Sequence, residues 1–150
     1  MNETSHLRWL LNKLFASQRL AVLATQSRGQ PYSNLVAFCE AGDLQYLLFA
    51  TNRNTRKYGN LVASPLVSLL IDSRSNQVSD FREAIAVTVI GRAEEVKGPE
   101  KEHLLGQYLE KHPHLADFAR SPDNALFRVT VRDYKVVSEF QNVRGLHIQG

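Results

Sequence analysis

Leu7, Leu10, Leu11, Leu14 and Phe15 recur at intervals of three and four, so the chain should open with a helix carrying one apolar face. Thr4 or Ser5 is placed to cap it, since either hydroxyl can accept an orphan backbone N–H. The period then changes. Leu20 to Thr25 is short, apolar and partly β-branched, and Arg28-Gly29-Gln30-Pro31 is turn chemistry. Tyr32 to Cys39 reads as a second strand, Glu40-Ala41-Gly42-Asp43 as a turn, and Leu44 to Ala50 as a third strand. Caps at Asn52, Asn54 and Thr55 precede Tyr58, Leu61 and Val62 at helical spacing, and Pro65 stops that helix. Leu66 to Ile71 is a strand, and Asp72 to Asp80 is polar and irregular. Ala84 to Val96 is a long β-rich segment in which Gly91 marks a bulge or bend. Pro99 opens a helix with Leu104, Leu105, Tyr108 and Leu109 on its apolar face, His112-Pro113-His114 interrupts it, and Leu115 to Ala119 adds a turn. Leu126 to Phe140 is a last long strand, where Phe127, Val129 and Val131 alternate with Arg128, Thr130 and Arg132.

About six strands in consecutive hairpins, with few crossover helices, argue for an antiparallel barrel rather than a parallel doubly wound sheet. The chain's 150 residues fit one domain able to bury a core without disulfide or metal. Apolar content of 43% against 22% charged excludes a largely disordered chain. No stretch approaches the ~20 apolar residues needed to span a bilayer, so no membrane association is expected. Met1 to His6 lacks a basic start followed by an apolar run, so no secretion signal is read. Cys39 is the only cysteine, which fits a reducing compartment and a cytoplasmic protein. The net charge of +3 is spread without a Lys/Arg run, so nucleic acid is not an expected partner. Of the five histidines, His112 and His114 lack the i, i+4 spacing of a helical zinc pair and no Cys or carboxylate cluster joins them, so no metal is expected. Cys39 reads as a small buried hydrophobe, and Trp9 should pack against the barrel or a partner subunit.

The chemistry concentrates in Phe49-Ala50-Thr51-Asn52-Arg53-Asn54-Thr55-Arg56-Lys57, which leaves a strand and enters a helix. A helix start presents unpaired N–H groups and a partial positive charge, a ready anion site. Arg56 adds a planar fork and Lys57 a mobile point charge, while Thr51 and Thr55 offer hydroxyls. Taken alone, the pattern reads first as a capped helix with solvated cations. Asp72-Ser73-Arg74-Ser75-Asn76-Gln77 is a second polar cluster, either a surface loop or part of a phosphate or ribose site.

Context narrows this. Ala24-Thr25, Gly29-Gln30-Pro31, Thr51, Thr55-Arg56-Lys57, Asn60-Leu61, Pro65, Val67-Ser68-Leu69-Leu70 and Val89-Ile90-Gly91-Arg92-Ala93 stand in an order and spacing that resembles the pyridoxamine 5′-phosphate oxidase-like family over residues 15 to 140. The resemblance implies a six-stranded antiparallel split β-barrel, mainly β with flanking helices, working as a homodimer with FMN in a groove between subunits. It implies that Thr55, Arg56 and Lys57 hold the FMN phosphate, that Ala50 and Thr51 lie beside the cofactor, and that Ser33-Asn34-Leu35-Val36 runs along the flavin ring. Ser73, Arg74 and Asn76 would complete the cofactor site. Where enzymes oxidising pyridoxamine phosphate carry an Arg and a Lys, this chain has Asn34 and Cys39. Ala86 stands where they carry a flavin-contacting Gln, and their C-terminal Trp and Arg–His elements are not recognisable. The chain therefore resembles the smaller flavin-binding relatives more than the oxidase.

An FMN-dependent oxidoreductase acting on a small molecule is the leading expectation, with no catalytic side chain identifiable. A non-enzymatic flavin-binding or sensing module, a haem-binding or haem-degrading barrel and a deazaflavin-binding barrel are the alternatives. Near the end, Gln141-Asn142-Val143-Arg144-Gly145-Leu146-His147 reads as a frayed tail. Arg144 or His147 could instead reach a partner's flavin, or His147 could ligate haem.

Overall fold

A computed structural model describes residues 1–139 and 142–150. Phe140 and Gln141, assigned from sequence to the end of the last strand and the start of the tail, lie outside the described residues. Helix α1 (Glu3–Ser17) leads into strands β1 (Leu20–Ser27), β2 (Gln30–Ala41) and β3 (Tyr46–Asn52). Helix α2 (Arg56–Ala63), strand β4 (Leu66–Asp72), a short helix α3 (Asp80–Glu83) and strand β5 (Ile85–Glu95) follow. Helix α4 (Glu100–Lys111), a 3₁₀ turn over Pro113–Leu115, helix α5 (Ala116–Arg120) and strands β6 (Asn124–Ser138) and β7 (Asn142–His147) complete the chain.

All strand pairs are antiparallel. The sheet runs β3-β2-β1-β4-β5-β6, and a β3–β6 pairing closes it into a six-stranded barrel. This is the split barrel expected from sequence. Strand β6 works twice along one edge. Its first half, Asn124 to Thr130, pairs with β3, and its second half, Asp133 to Ser138, pairs with β7. Residues 142–147 are therefore a seventh strand and not a frayed tail, held because the second half of β6 would otherwise present unpaired backbone groups.

The expected irregularity at Gly91 is present, though the extra residue is on the facing strand. Ile90 faces Asp133 and Gly91 faces Val131, so Arg132 is left over. A Cβ at Gly91 would run into the Thr130 carbonyl and lie 2.8 Å from Val129 Cγ1. Only glycine lets the two backbones approach so closely.

Inward-facing residues of every barrel strand fill the core. Leu23, Phe38, Leu47, Phe49, Leu69, Val89 and Val129 are fully buried, and α1 adds Leu7, Leu11, Leu14 and Phe15. Phe49 and Phe127 stack as a cross-strand pair, centroids 5.5 Å apart. The cap of α1 is Asn2, whose Oδ1 accepts the Ser5 N–H at 2.7 Å, rather than Thr4 or Ser5. A second cluster packs Leu104, Leu105 and Tyr108 of α4 on Cys39, Leu48 and Leu126. Burial pushes the Cys39 thiol up to about 11, so it is an inert core group. Trp9 stays 48% exposed, stacked on His6 with Lys13 over its ring.

Candidate flavin site at the start of helix α2

The turn between β3 and α2 is built from side chains. Asn52 Oδ1 accepts the Asn54 N–H at 2.8 Å, and Asn52 Nδ2 donates to Asn124 Oδ1 on β6. Thr55 is the helix cap: its hydroxyl accepts the Tyr58 N–H at 3.1 Å and donates to the Asn52 carbonyl at 2.9 Å. Thr51 is buried, its hydroxyl 3.4 Å from that of Thr55. Ala50 is also buried, facing the α4 cluster. Ala50 and Thr51 brace the turn from the buried side, while Thr55 is exposed at the helix start.

The three cations of the run divide. Arg53 turns inward to form two bonds with Glu95, each 2.9 Å, with Tyr58 Oη bonded to both partners. Hydrogen bonding to Glu95 holds the guanidinium firmly protonated, and hydrogen bonding to Arg53 holds the carboxyl below its usual range. Arg56 and Lys57 have no carboxylate partner among the described residues. Arg56 lies over the Tyr32 ring at 5.4 Å and lines a hollow of about 230 Å³ with Ser27, Gln30, Tyr32 and Asn60. Lys57 is half-buried, and desolvation lowers its pKa. Behind them Asn60 donates to Thr25 Oγ1 at 3.0 Å and Gln26 to Ser64 Oγ at 2.8 Å, pinning α2 to β1.

Strand β2 leads away from this point. Residues 38–41 pair with β3, while residues 30–37 pair with β1 alone. Phe38 N–H bonds back to Arg19 on the β1 side, so alternation turns the backbone groups of Ser33 and Leu35 to the unpaired edge. Tyr108 Oη already bonds the next such carbonyl, Ala37. Val36 is buried in the barrel. Asn34 also faces inward, and its buried Oδ1 has no hydrogen-bond partner. Leu35 points outward at 64% exposure, on a face shared with Leu20, Leu66 and Leu70.

Ser73, Arg74 and Asn76 are not brought to Arg56. They stand near the Leu20 end of β1, whereas α2 bonds Thr25, a strand separation of about 16 Å. Ser73 Oγ accepts the Ile85 N–H, Arg74 pairs with Asp72 at 3.0 Å, and Asp80 gathers the N–H groups of Ser75 and Asn76. Those bonds, led by the Ser75 N–H, lower the Asp80 pKa. Two adjoining hollows of about 190 and 540 Å³ share Leu70, Asp72 and Arg74, and one reaches Leu35 on β2. The predicted residues thus stand at two separate places, Arg56 and Lys57 at the start of α2 and Ser73, Arg74 and Asn76 beyond the Leu20 end of β1. Sequence reasoning missed Tyr32 and Asn60, whose roles appear only when β2 and α2 are brought together.

Among the described residues no three His, Cys, Asp or Glu side chains are grouped to hold a metal. No helix among them is long and apolar enough to cross a membrane. Buried His112 bonds the Phe38 carbonyl through Nε2 at 2.8 Å, and burial lowers its pKa.

A six-stranded split barrel with an anion-ready helix start defines the class. The pyridoxamine 5′-phosphate oxidase family model matches residues 10–138. The chain belongs to that family. No curated protein matches it in sequence. A heme binding protein from Mycobacterium smegmatis superposes with a TM-score of 0.80 at 19% identity, over 89% of this chain and 55% of its own. This chain therefore spans about half the length of that protein. A heme storage protein from Vibrio cholerae gives 0.70 at 17% identity, over 81% and 87% of the two chains. An FAD-binding protein from Mesorhizobium loti gives 0.68 at 20% identity, over 85% and 90%. At such identities these likenesses concern the fold, and members of the family commonly dimerise.

Proposed function

We propose that the chain is a single FMN-binding domain that works as a cytoplasmic homodimer, most simply as a flavin-dependent oxidoreductase on a small molecule. The observation that carries this reading is a half-buried ammonium and an unpaired guanidinium at an open helix start, beside the unpaired edge of β2. An anion relieves the desolvation of Lys57, and a phosphate monoester supplies one. Arg56, Lys57 and the first N–H groups of α2 would hold the phosphate, with Thr55 and Thr51 keeping the turn in shape. Ser33 and Leu35 would offer backbone groups to the polar edge of the ring, with Asn34 and Val36 behind them. Ser73, Arg74 and Asn76 would lie at the far end of the cofactor groove.

The flavin supplies the electron transfer when bound. The chain's own residues anchor, orient and exclude water. One chain leaves the outer face open at Leu20, Leu35 and Leu70, and a second copy would close it. The test is the visible spectrum of the purified protein, followed by FMN titration of the apoprotein. Tight binding should fall by about 100-fold or more in the Arg56→Ala/Lys57→Ala variant, which removes two charge-assisted contacts. Colourless protein indifferent to FMN would refute the reading. Bound flavin with no turnover on a broad substrate panel would make it a sensing or carrier module.

A second reading, haem binding, is favoured by one contact. Asp133 accepts from His147 Nδ1 at 2.9 Å, which leaves Nε2 facing outward as in many metal-ligating histidines. Haem added to the apoprotein should then give a Soret band that His147→Ala abolishes.

A further inference from the structure

The irregularity in β6 has a consequence on the outer surface. Arg132 is the residue left out of the β5–β6 ladder, and its carbonyl is taken by the Ile148 N–H at 2.9 Å. A bulge of this kind re-aims the side chain it carries. Arg132 Nε bonds Asp133 Oδ2 at 2.8 Å, and the other oxygen of Asp133 takes His147 Nδ1. Both carboxylate oxygens are engaged, which leaves the terminal nitrogens of Arg132 and the Nε2 of His147 available. Hydrogen bonding from Arg132, then from His147, holds the Asp133 carboxyl below its usual range, so it stays ionised in that role.

These groups border a hollow of about 660 Å³. Its walls are Leu66, Ile90, Val131 and Ile148, and its polar rim is Arg92, Arg132 and His147. No Asp or Glu lines it, and Arg92 has no carboxylate partner among the described residues. It shares no lining residue with the Arg56 hollow. Its volume lies in the range of small-molecule sites.

We infer that this hollow binds an amphipathic carboxylate, its apolar body on Leu66, Ile90 and Ile148 and its head group between Arg92 and Arg132. A guanidinium fork matches a carboxylate, and an unpaired Arg92 beside Arg132, whose terminal nitrogens stay free of Asp133, gives an apolar floor a rim that favours an anionic head group. The inference is independent of the flavin reading.

The probe is 8-anilinonaphthalene-1-sulfonate, an apolar body with one anionic group, titrated by fluorescence into the purified full-length protein. One site per chain is expected, displaced by decanoate. The neutral analogue N-phenyl-1-naphthylamine should bind about ten-fold more weakly or worse. Arg92→Ser/Arg132→Ser should weaken the anionic probe by a similar factor and leave the far-ultraviolet circular dichroism and any visible cofactor band unchanged. Leu66→Asp, at an exposed position, should also expel the probe. The Arg56→Ala/Lys57→Ala variant should bind it as the parent does. Absence of a probe signal, equal affinity for the neutral analogue, unchanged affinity in the double arginine variant, or loss in Arg56→Ala/Lys57→Ala would each overturn the inference. A parent protein that binds the probe but not FMN would refute the flavin reading alone.

Discussion

Lys57 and Lys111 are both half-buried lysines, and each makes pH informative. Lys57 has no anionic partner among the described residues, and burial already lowers its pKa. A bound phosphate restores the charged form, so FMN affinity should fall with rising pH earlier than an ordinary lysine would dictate, an effect titrations across alkaline pH would read. Lys111 donates to the Phe15 carbonyl at 2.8 Å and sits 3.9 Å over the Phe38 ring, and desolvation lowers it from 10.5 to about 8. Below about 8 it is charged in both states. Between there and 10.5 the unfolded chain holds the extra proton, so stability should rise with pH, by at most ~1.4 kcal/mol per unit. Cys39 opposes this from 9 upward, because its native thiol keeps its proton to about 11. Chemical denaturation should therefore show a rise at about pH 8 to 9 that is reduced in Lys111→Met. Phe49→Ala should cost about 3–5 kcal/mol in the same assay, since it empties a fully buried stacked pair. The sequence could show Arg56 and Lys57, because cations in a first helical turn oppose the dipole and stand out locally. It could not separate them from Arg53, whose partner Glu95 lies 42 residues away.

At the scale of elements, the local patterns were readable wherever one face was buried and one wet. The strands β1 to β6 and the helices α1, α2 and α4 follow their periodicities to within a few residues. Strand β7 did not show itself. Only Leu146 within it is buried, and Val143, Gly145 and His147 are exposed, so nothing marks it except the edge it meets. Gly91 was legible as a bend, but only the pairing reveals that Arg132 is the displaced residue. Gly91→Ala tests that junction. The added methyl meets backbone that cannot give way, so we expect a loss of about 1–3 kcal/mol and a lower melting temperature. Deleting residues 142–150 should expose the outer half of β6 and promote association, read by light scattering.

At the scale of the molecule, an antiparallel barrel was foreseeable from the hairpins, and its six-stranded split form was implied by resemblance. The β3–β6 ladder, Leu47 opposite Val129 for example, joins segments that no local signal connects. The outer face is the other global feature. Leu20, Leu35 and Leu70 are each at least 38% exposed on adjoining strands, an apolar patch that asks for cover. If a second copy covers it, Leu35→Glu/Leu70→Glu should give a folded monomer with FMN affinity reduced about ten-fold or more; sedimentation and flavin titration would show both. Strand β6 also decides when the protein can become itself. During synthesis β1 to β5 emerge as a curved sheet with two open edges, and no partner for β3 exists until Asn124 and its successors leave the ribosome. Closure is then a single late, long-range event. Refolding should be slow for the chain's size, and a nascent chain stalled before β6 should be a natural client for chaperones that shield strand edges.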